Sequence, residues 1–188
     1  MVDTTNNILI MKRSLFLLFL ASISVQLLFA QEAQKVTSSA VIFKIKNMGI
    51  AAEGKFGGLK ATISFDKDQP DKSSIEASVD TRTLDSDNSL RDNHLKKEEY
   101  FDVEKYPEIT MKSVSITHQK NENYTGIFDL TIKDKTKRIK VPFTYTENGN
   151  NASFSGSFTV NRSDFNLGGK SMVLADDALV SVTLATTK

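Results

Sequence analysis

The chain has 188 residues, 24 basic and 23 acidic, for a net charge of +1, and it contains no cysteine, no tryptophan and 12 phenylalanines. That length fits one domain of ordinary size. The near-neutral charge argues against a nucleic-acid binder, which needs a basic surface against phosphate, and the lack of cysteine excludes disulfides, thiolate metal sites, cysteine nucleophiles and a lipid anchor on an N-terminal cysteine.

Residues 1–30 read as a secretory signal peptide. Met11-Lys12-Arg13 is a short positive region, Ser14 to Ala30 is mostly apolar, and Ala30 offers a small residue for cleavage before Gln31, although Leu28 meets the small-x-small rule poorly. Met1 to Ile10 precede the charged region and read as an upstream start, which makes Met11 the expected first residue. Ser22, Ser24 and Gln26 interrupt the apolar stretch, which is short of the roughly 20 residues of a membrane-spanning helix. Export to the periplasm or beyond the cell follows as the expectation, with no stable membrane insertion after cleavage. Removal of residues 1–30 takes away Lys12, Arg13 and Asp3 and leaves 22 basic and 22 acidic side chains in the remaining domain, 31–188.

Residues 31–38 are polar and read as a lead-in. Period-two alternation then dominates, as in Val41, Phe43 and Ile45, or Ile75, Ala77 and Val79, or Phe128, Leu130 and Ile132, or Val180, Val182 and Leu184. In a strand such residues share one buried face. The pattern predicts eight strands, near 39–47, 58–66, 72–80, 108–119, 122–134, 137–146, 152–163 and 177–187. Turn-forming clusters such as Asp66–Asp71 and Glu147–Asn151 separate them. Short connections between consecutive strands favour antiparallel pairing. The stretch 89–101 breaks the alternation and reads as a short helix, with Leu90, His94, Leu95 and Phe101 at helical spacing, capping side chains in 85–88, and Pro107 returning the chain to an extended path.

Eight strands laid flat would leave two open edges, and closure into a barrel removes them. An eight-stranded barrel is just wide enough for one small ligand. The predicted inner face is almost wholly apolar and rich in phenylalanine. That pattern fits a solid core and a hollow, greasy tunnel alike, and a two-sheet sandwich satisfies the same alternation.

The run Arg91-Asp92-x-His94-Leu95, followed by Tyr100-Phe101-Asp102-Val103 and Tyr106-Pro107, resembles the signature of the YceI-like family of secreted polyisoprenoid-binding proteins. The likeness extends over nearly all of 31–188, through Phe43–Gly49 with Gly54-Lys55-Phe56, through Gly126-x-Phe128-x-Leu130-Thr131-Ile132, through Asn161–Phe165, and through Ala175-Asp176-Asp177. The resemblance implies an all-β fold with one short helix, an extended lipocalin-like eight-stranded antiparallel β-barrel, and a long isoprenoid or similar lipid in its lumen. Two departures bear on a headgroup: many relatives carry histidine where this chain has Asn47, and glycine where it has Asn166.

The expected lumen residues are Phe43, Ile45, Phe65, Val79, Met111, Phe128, Leu130, Phe143, Phe154 and Phe158. Arg91, His94 and Arg162 are the candidates for a polar headgroup, since a guanidinium donates a planar fork of N–H groups to phosphate. Against this, Arg91 and Asp92 would form a structural ion pair while His94 packs the helix on the barrel, and Arg162 would pair with Asp164 at a strand end. Ser89, Asp92 and His94 supply the residue types of a hydrolytic triad, but on one short helix they cannot line up. Asp85, Asp87 and Asn88 resemble part of a calcium loop that lacks its closing glutamate, so capping is their expected role. The sequence thus predicts a carrier of a polyisoprenoid, isoprenoid quinone or fatty-acid-like lipid that is not an enzyme and has no cofactor, metal or nucleic-acid partner, with room left for a homodimer. A solid-core partner-binding barrel and a lipid-modifying enzyme are the alternatives.

Overall fold

The computed structural model of the protein describes residues 34–187; the expected signal peptide, cleavage site and upstream start lie outside them. Nine strands form one antiparallel sheet: β1 (Lys35–Asn47), β2 (Ile50–Phe56), β3 (Lys60–Ser64), β4 (Ser74–Asp80), β5 (Glu108–Lys120), β6 (Asn123–Ile132), β7 (Lys135–Asn148), β8 (Asn151–Asn161) and β9 (Leu174–Thr187). The order across the sheet is β2-β1-β9-β8-β7-β6-β5-β4-β3. The fold is therefore all-β with one helix, and the sheet curls on itself as expected, with nine strands in place of eight. The extra strand is β2. Its Ile50-Ala51-Ala52-Glu53-Gly54 start carries no alternation, and pairing with β1 from Asn47↔Ile50 to Val41↔Phe56 is what makes it a strand. β1 also reaches further back than its apolar residues suggest, because Lys35, Val36, Ser38 and Ser39 pair with the end of β9.

Register shifts occur in β1 against β9 and in β5 against β6, and such bulges bend a strand and tighten its twist. The two outer strands are not left bare. The N–H of Gln34 donates to the carbonyl of Ile63 in β3 at 2.9 Å, and Lys55 of β2 exchanges two backbone hydrogen bonds with Asp85. A single bridge thus brings the chain ahead of β1 onto β3, and the segment after β4 covers β2, which answers the problem of open edges.

The helix α1 spans Ser89–Leu95, and residues 97–101 that follow are turns, so it is shorter than the sequence pattern predicts. The Asn88 side chain caps it by accepting from the Arg91 N–H at 3.0 Å. At its end Lys96 N–H still bonds the Asp92 carbonyl and Phe101 N–H returns to the Leu95 carbonyl; further on, Asp102 takes a positive φ of 49° in the turns that follow. The connection from β4 to β5 passes over one end of the barrel and drops Leu84, Phe101 and Val103 into the core.

The opposite end is solid. Phe65, just after β3, is 2% exposed, and its ring centroid lies 4.6 Å from Tyr145, 5.1 Å from Tyr124 and 5.3 Å from Phe154. These tilted and edge-on contacts suit the ring quadrupole. Replacing Phe65 with alanine should lower stability by roughly 3–5 kcal/mol, read as the urea midpoint of the folded protein. Alanine at the fully exposed Met172 should change it by less than about 0.5 kcal/mol.

Candidate functional site

Between the aromatic end and the β4–β5 connection the barrel is hollow. The main cavity measures about 160 Å³ and is walled by residues of seven strands, among them Val41 and Phe43 of β1, Val79 of β4, Met111 of β5, Leu130 of β6, Phe158 of β8 and Val180 of β9. Phe56, Leu59, Phe101 and Leu167 complete it towards the connection. A smaller lobe of about 50 Å³ continues towards the aromatic end, walled by Phe128, Val141, Phe143, Phe154 and Gly156. Ile75, Met111, Phe158, Val182 and Leu184 belong to both lobes and form the neck between them.

The side chains themselves record where the barrel is hollow. The inward residues of β9 run Ala178, Val180, Val182, Leu184, Thr186; the first three are only half-buried, while Leu184 is 8% and Thr186 1% exposed. The small side chains Ala178, Val180 and Val182 thus border the main cavity, and Thr186 lies beyond both lobes. Two of the wall rings are seated by glycine. A Cβ on Gly54 would stand 2.4 Å from the ring of Phe43, and one on Gly126 would stand 2.1 Å from that of Phe128, so both rings lie directly on backbone.

The main wall is apolar apart from Ser78, Thr110 and Arg162. Arg162 opens a 3-10 turn, Arg162–Phe165, at the end of β8, and its side chain is 5% exposed. Its Nε donates to the Ala175 carbonyl at 3.0 Å, Nη1 to the carbonyls of Leu167 (2.8 Å) and Gly169, and Nη2 to the Leu174 carbonyl (3.4 Å) and to Asp176 Oδ1 (2.8 Å). Four backbone carbonyls and the Asp176 carboxylate, spread over the loop and the start of β9, thus already occupy the fork. The expected partner was Asp164; that residue pairs instead with Lys137 at 3.4 Å. Asn166, which ends the same turn, has a φ of +55°. Asparagine and glycine both tolerate this left-handed conformation, so the exchange with glycine concerns the backbone there.

The other two headgroup candidates sit away from the cavity. Arg91 is exposed, and its Nε donates to Ser86 Oγ at 2.8 Å while Nη2 donates to the Ser86 carbonyl. Asp92 accepts from the Ser86 N–H at 2.9 Å and from its hydroxyl. The two charges thus clamp buried Ser86 from either side and do not pair with each other. His94 is exposed, with its ring edge-on to Tyr100 at 5.0 Å. Ser89, Asp92 and His94 form no relay. Asp85 accepts from the Asp87 N–H and pairs with Lys55 at 3.0 Å.

Of the ten expected lumen residues, eight wall one or both lobes. Phe65 lies beyond the smaller lobe in the aromatic end, and Ile45 is half-buried outside both lobes, where β1 leaves the barrel next to a register shift. Sequence reasoning missed Phe56, Leu59 and Leu167, which stand on β2 or in loops without alternation. At the aromatic end Tyr145 donates to Glu147 Oε2 at 2.8 Å, and burial first, then this bond, pushes its phenol well above the ordinary value. Among the described residues no helix is long and apolar enough to cross a membrane, and no group of three or more acidic, histidine or cysteine side chains could hold a metal ion.

A family model described as a YceI-like domain matches residues 33–186. The chain belongs to the YceI-like family. It is 33% identical over 138 residues to a UPF0312 protein of Pseudomonas savastanoi pv. phaseolicola, covering 69% of this chain and 71% of the relative. It is 30% identical over 169 residues to a UPF0312 protein of Vibrio parahaemolyticus, covering 84% and 89%. Among solved structures, Burkholderia cenocepacia BcnA superposes with a TM-score of 0.76 at 27% identity, covering 79% of this chain and 96% of BcnA. A polyisoprenoid binding domain from Saccharophagus degradans, implicated in plant cell wall breakdown, shares the fold with a TM-score of 0.67 at 11% identity, covering 82% and 97%.

The geometry of Arg162 yields a test. Lysine keeps the charge but offers a point donor in place of the planar fork, so Arg162→Lys should cost roughly 3–5 kcal/mol in urea unfolding, the scale of a broken buried charge network. Limited proteolysis should then cut within 166–173. Wild-type stability in the lysine variant would show that the fork is dispensable.

Proposed function

We propose that this YceI-like protein binds and carries an apolar lipid chain, prenyl or fatty-acyl, inside the barrel, in the periplasm or outside the cell, and that it does no chemistry on that chain. One observation carries the reading: a hollow lumen whose single charged wall residue, Arg162, has its fork already occupied. Such a space can reward only the removal of apolar surface from water, at about 0.8 kcal/mol per methylene. Family membership supports the reading, as does the shared fold with a domain described as polyisoprenoid-binding. Export is supported by the charged, apolar and small-residue order of 1–30.

Phe43, Val79, Met111, Phe128, Leu130, Phe143, Phe154 and Phe158 are the proposed contacts. Arg91 and His94 take no part in binding on this reading. The protein purified after export, analysed by native mass spectrometry and then by organic extraction, should carry one lipid per chain. Met111→Asp puts a carboxylate in the neck, at a half-buried position, and should abolish lipid retention with the circular dichroism of the fold preserved. His94→Ala should retain lipid fully. A clean unliganded mass with no uptake of added prenyl lipids or fatty acids would overturn the reading in favour of a partner-binding barrel.

A further inference from the structure

The hollow part of the barrel has a floor. Phe143 and Phe154 wall the smaller lobe on its far side, and both rings are backed by Phe65, at 6.1 and 5.3 Å between centroids. Tyr145 closes on Phe154 at 4.9 Å. Behind the rings the groups are polar and paired: Tyr145 with Glu147, Glu147 with Lys67, and Thr186 with Gln34 at 2.7 Å. An apolar chain pushed past the floor would have to part packed rings and then strip these groups of their partners, so the floor is a stop.

We propose that this floor measures the ligand: the lumen takes up about a dozen main-chain carbons, and any remaining chain stays outside. The inference rests on the lipid-binding reading above and adds a length to it. On β9 the hollow wall runs from Ala178 to Leu184. Six residues of strand rise about 20 Å, and a strand tilt of about 40° leaves about 15 Å along the barrel axis. An extended chain advances about 1.2 Å per bond, which gives about twelve carbons, or three prenyl units of four main-chain carbons each. Longer polyprenyl chains then gain nothing from their extra units.

The experiment is a binding series on the purified protein with saturated fatty acids of about eight to twenty carbons, read by displacement of a fluorescent fatty acid. Affinity should rise about fourfold per added methylene and level off near twelve to fourteen carbons. Phe154→Ala should move the plateau to longer chains. Val182→Phe, which fills the neck, should move it to shorter ones and tests the same idea where the alanine variant does not fold. A rise that continues steadily to twenty carbons, or plateaus unmoved in folded variants, overturns the measured length while leaving lipid binding intact. No binding at any length overturns the lipid reading itself.

Discussion

Curling a nine-stranded sheet on itself turns every second residue into a closed interior, and the side chains there must either meet or leave a hole. Both outcomes occur along the same strands. Towards one end β6, β7 and β8 supply Tyr124, Phe143, Tyr145 and Phe154, and Phe65 stands among them, so rings span the barrel and touch. Towards the other end the inward residues of β9 are alanine and valine, too short to reach across, and their accessible surface persists. Rings that meet across the barrel at one end, and short β9 residues that leave a gap between mixed aromatic and aliphatic walls at the other, are one constraint met with different sizes of side chain.

The hollow end depends on polar fixtures that stay out of the lumen. Arg162 holds the 167–176 loop by its backbone carbonyls, and Leu167 of that loop walls the cavity. Ser86, clamped by Arg91 and Asp92, holds the start of the connection that carries Phe101 over the opening, where its ring meets Phe56 edge-on at 5.3 Å. The family-like motif that begins at Arg91 is thus a structural clamp in this chain. The charged side chains that look like ligand donors in the sequence instead fix the loops that carry apolar wall residues. With its one charged residue, Arg162, already engaged, a nearly all-apolar wall leaves burial as the main driving force for any occupant, and burial discriminates by length and girth far more than by headgroup.

Much of the fold was legible in advance. The strands β4 to β9 follow from alternation because each has one face buried and one wet, and their observed ends fall close to those expected. β2 was invisible because its small residues and Gly54 carry no alternation; pairing with β1 makes it a strand. The expected helix ran too long because Leu90, His94 and Phe101 sit at helical spacing, whereas the backbone turns after Leu95 to bring Phe101 inward. Eight of the ten expected lumen residues line the cavity, since the parity of a strand position selects its face. For Arg91, His94 and Arg162 the sequence leaves headgroup and structural roles both open, because residue type says what a side chain can donate and nothing about what already accepts it.

The sequence by itself determined the class of interior: alternating apolar residues without cysteine or a polar cluster point to an all-β fold with a greasy inside, because a strand's two faces are separated by parity alone, while the choice of a barrel over a sandwich rested on the family resemblance. Whether that inside is full or empty was decided only in three dimensions. Phe65 and Phe158 read alike in the chain, yet one is locked among rings from other strands and the other walls both lobes of the cavity. Cavity, neck and floor depend on which side chains meet across the barrel, and those meetings join residues far apart in sequence, set by register and strand order.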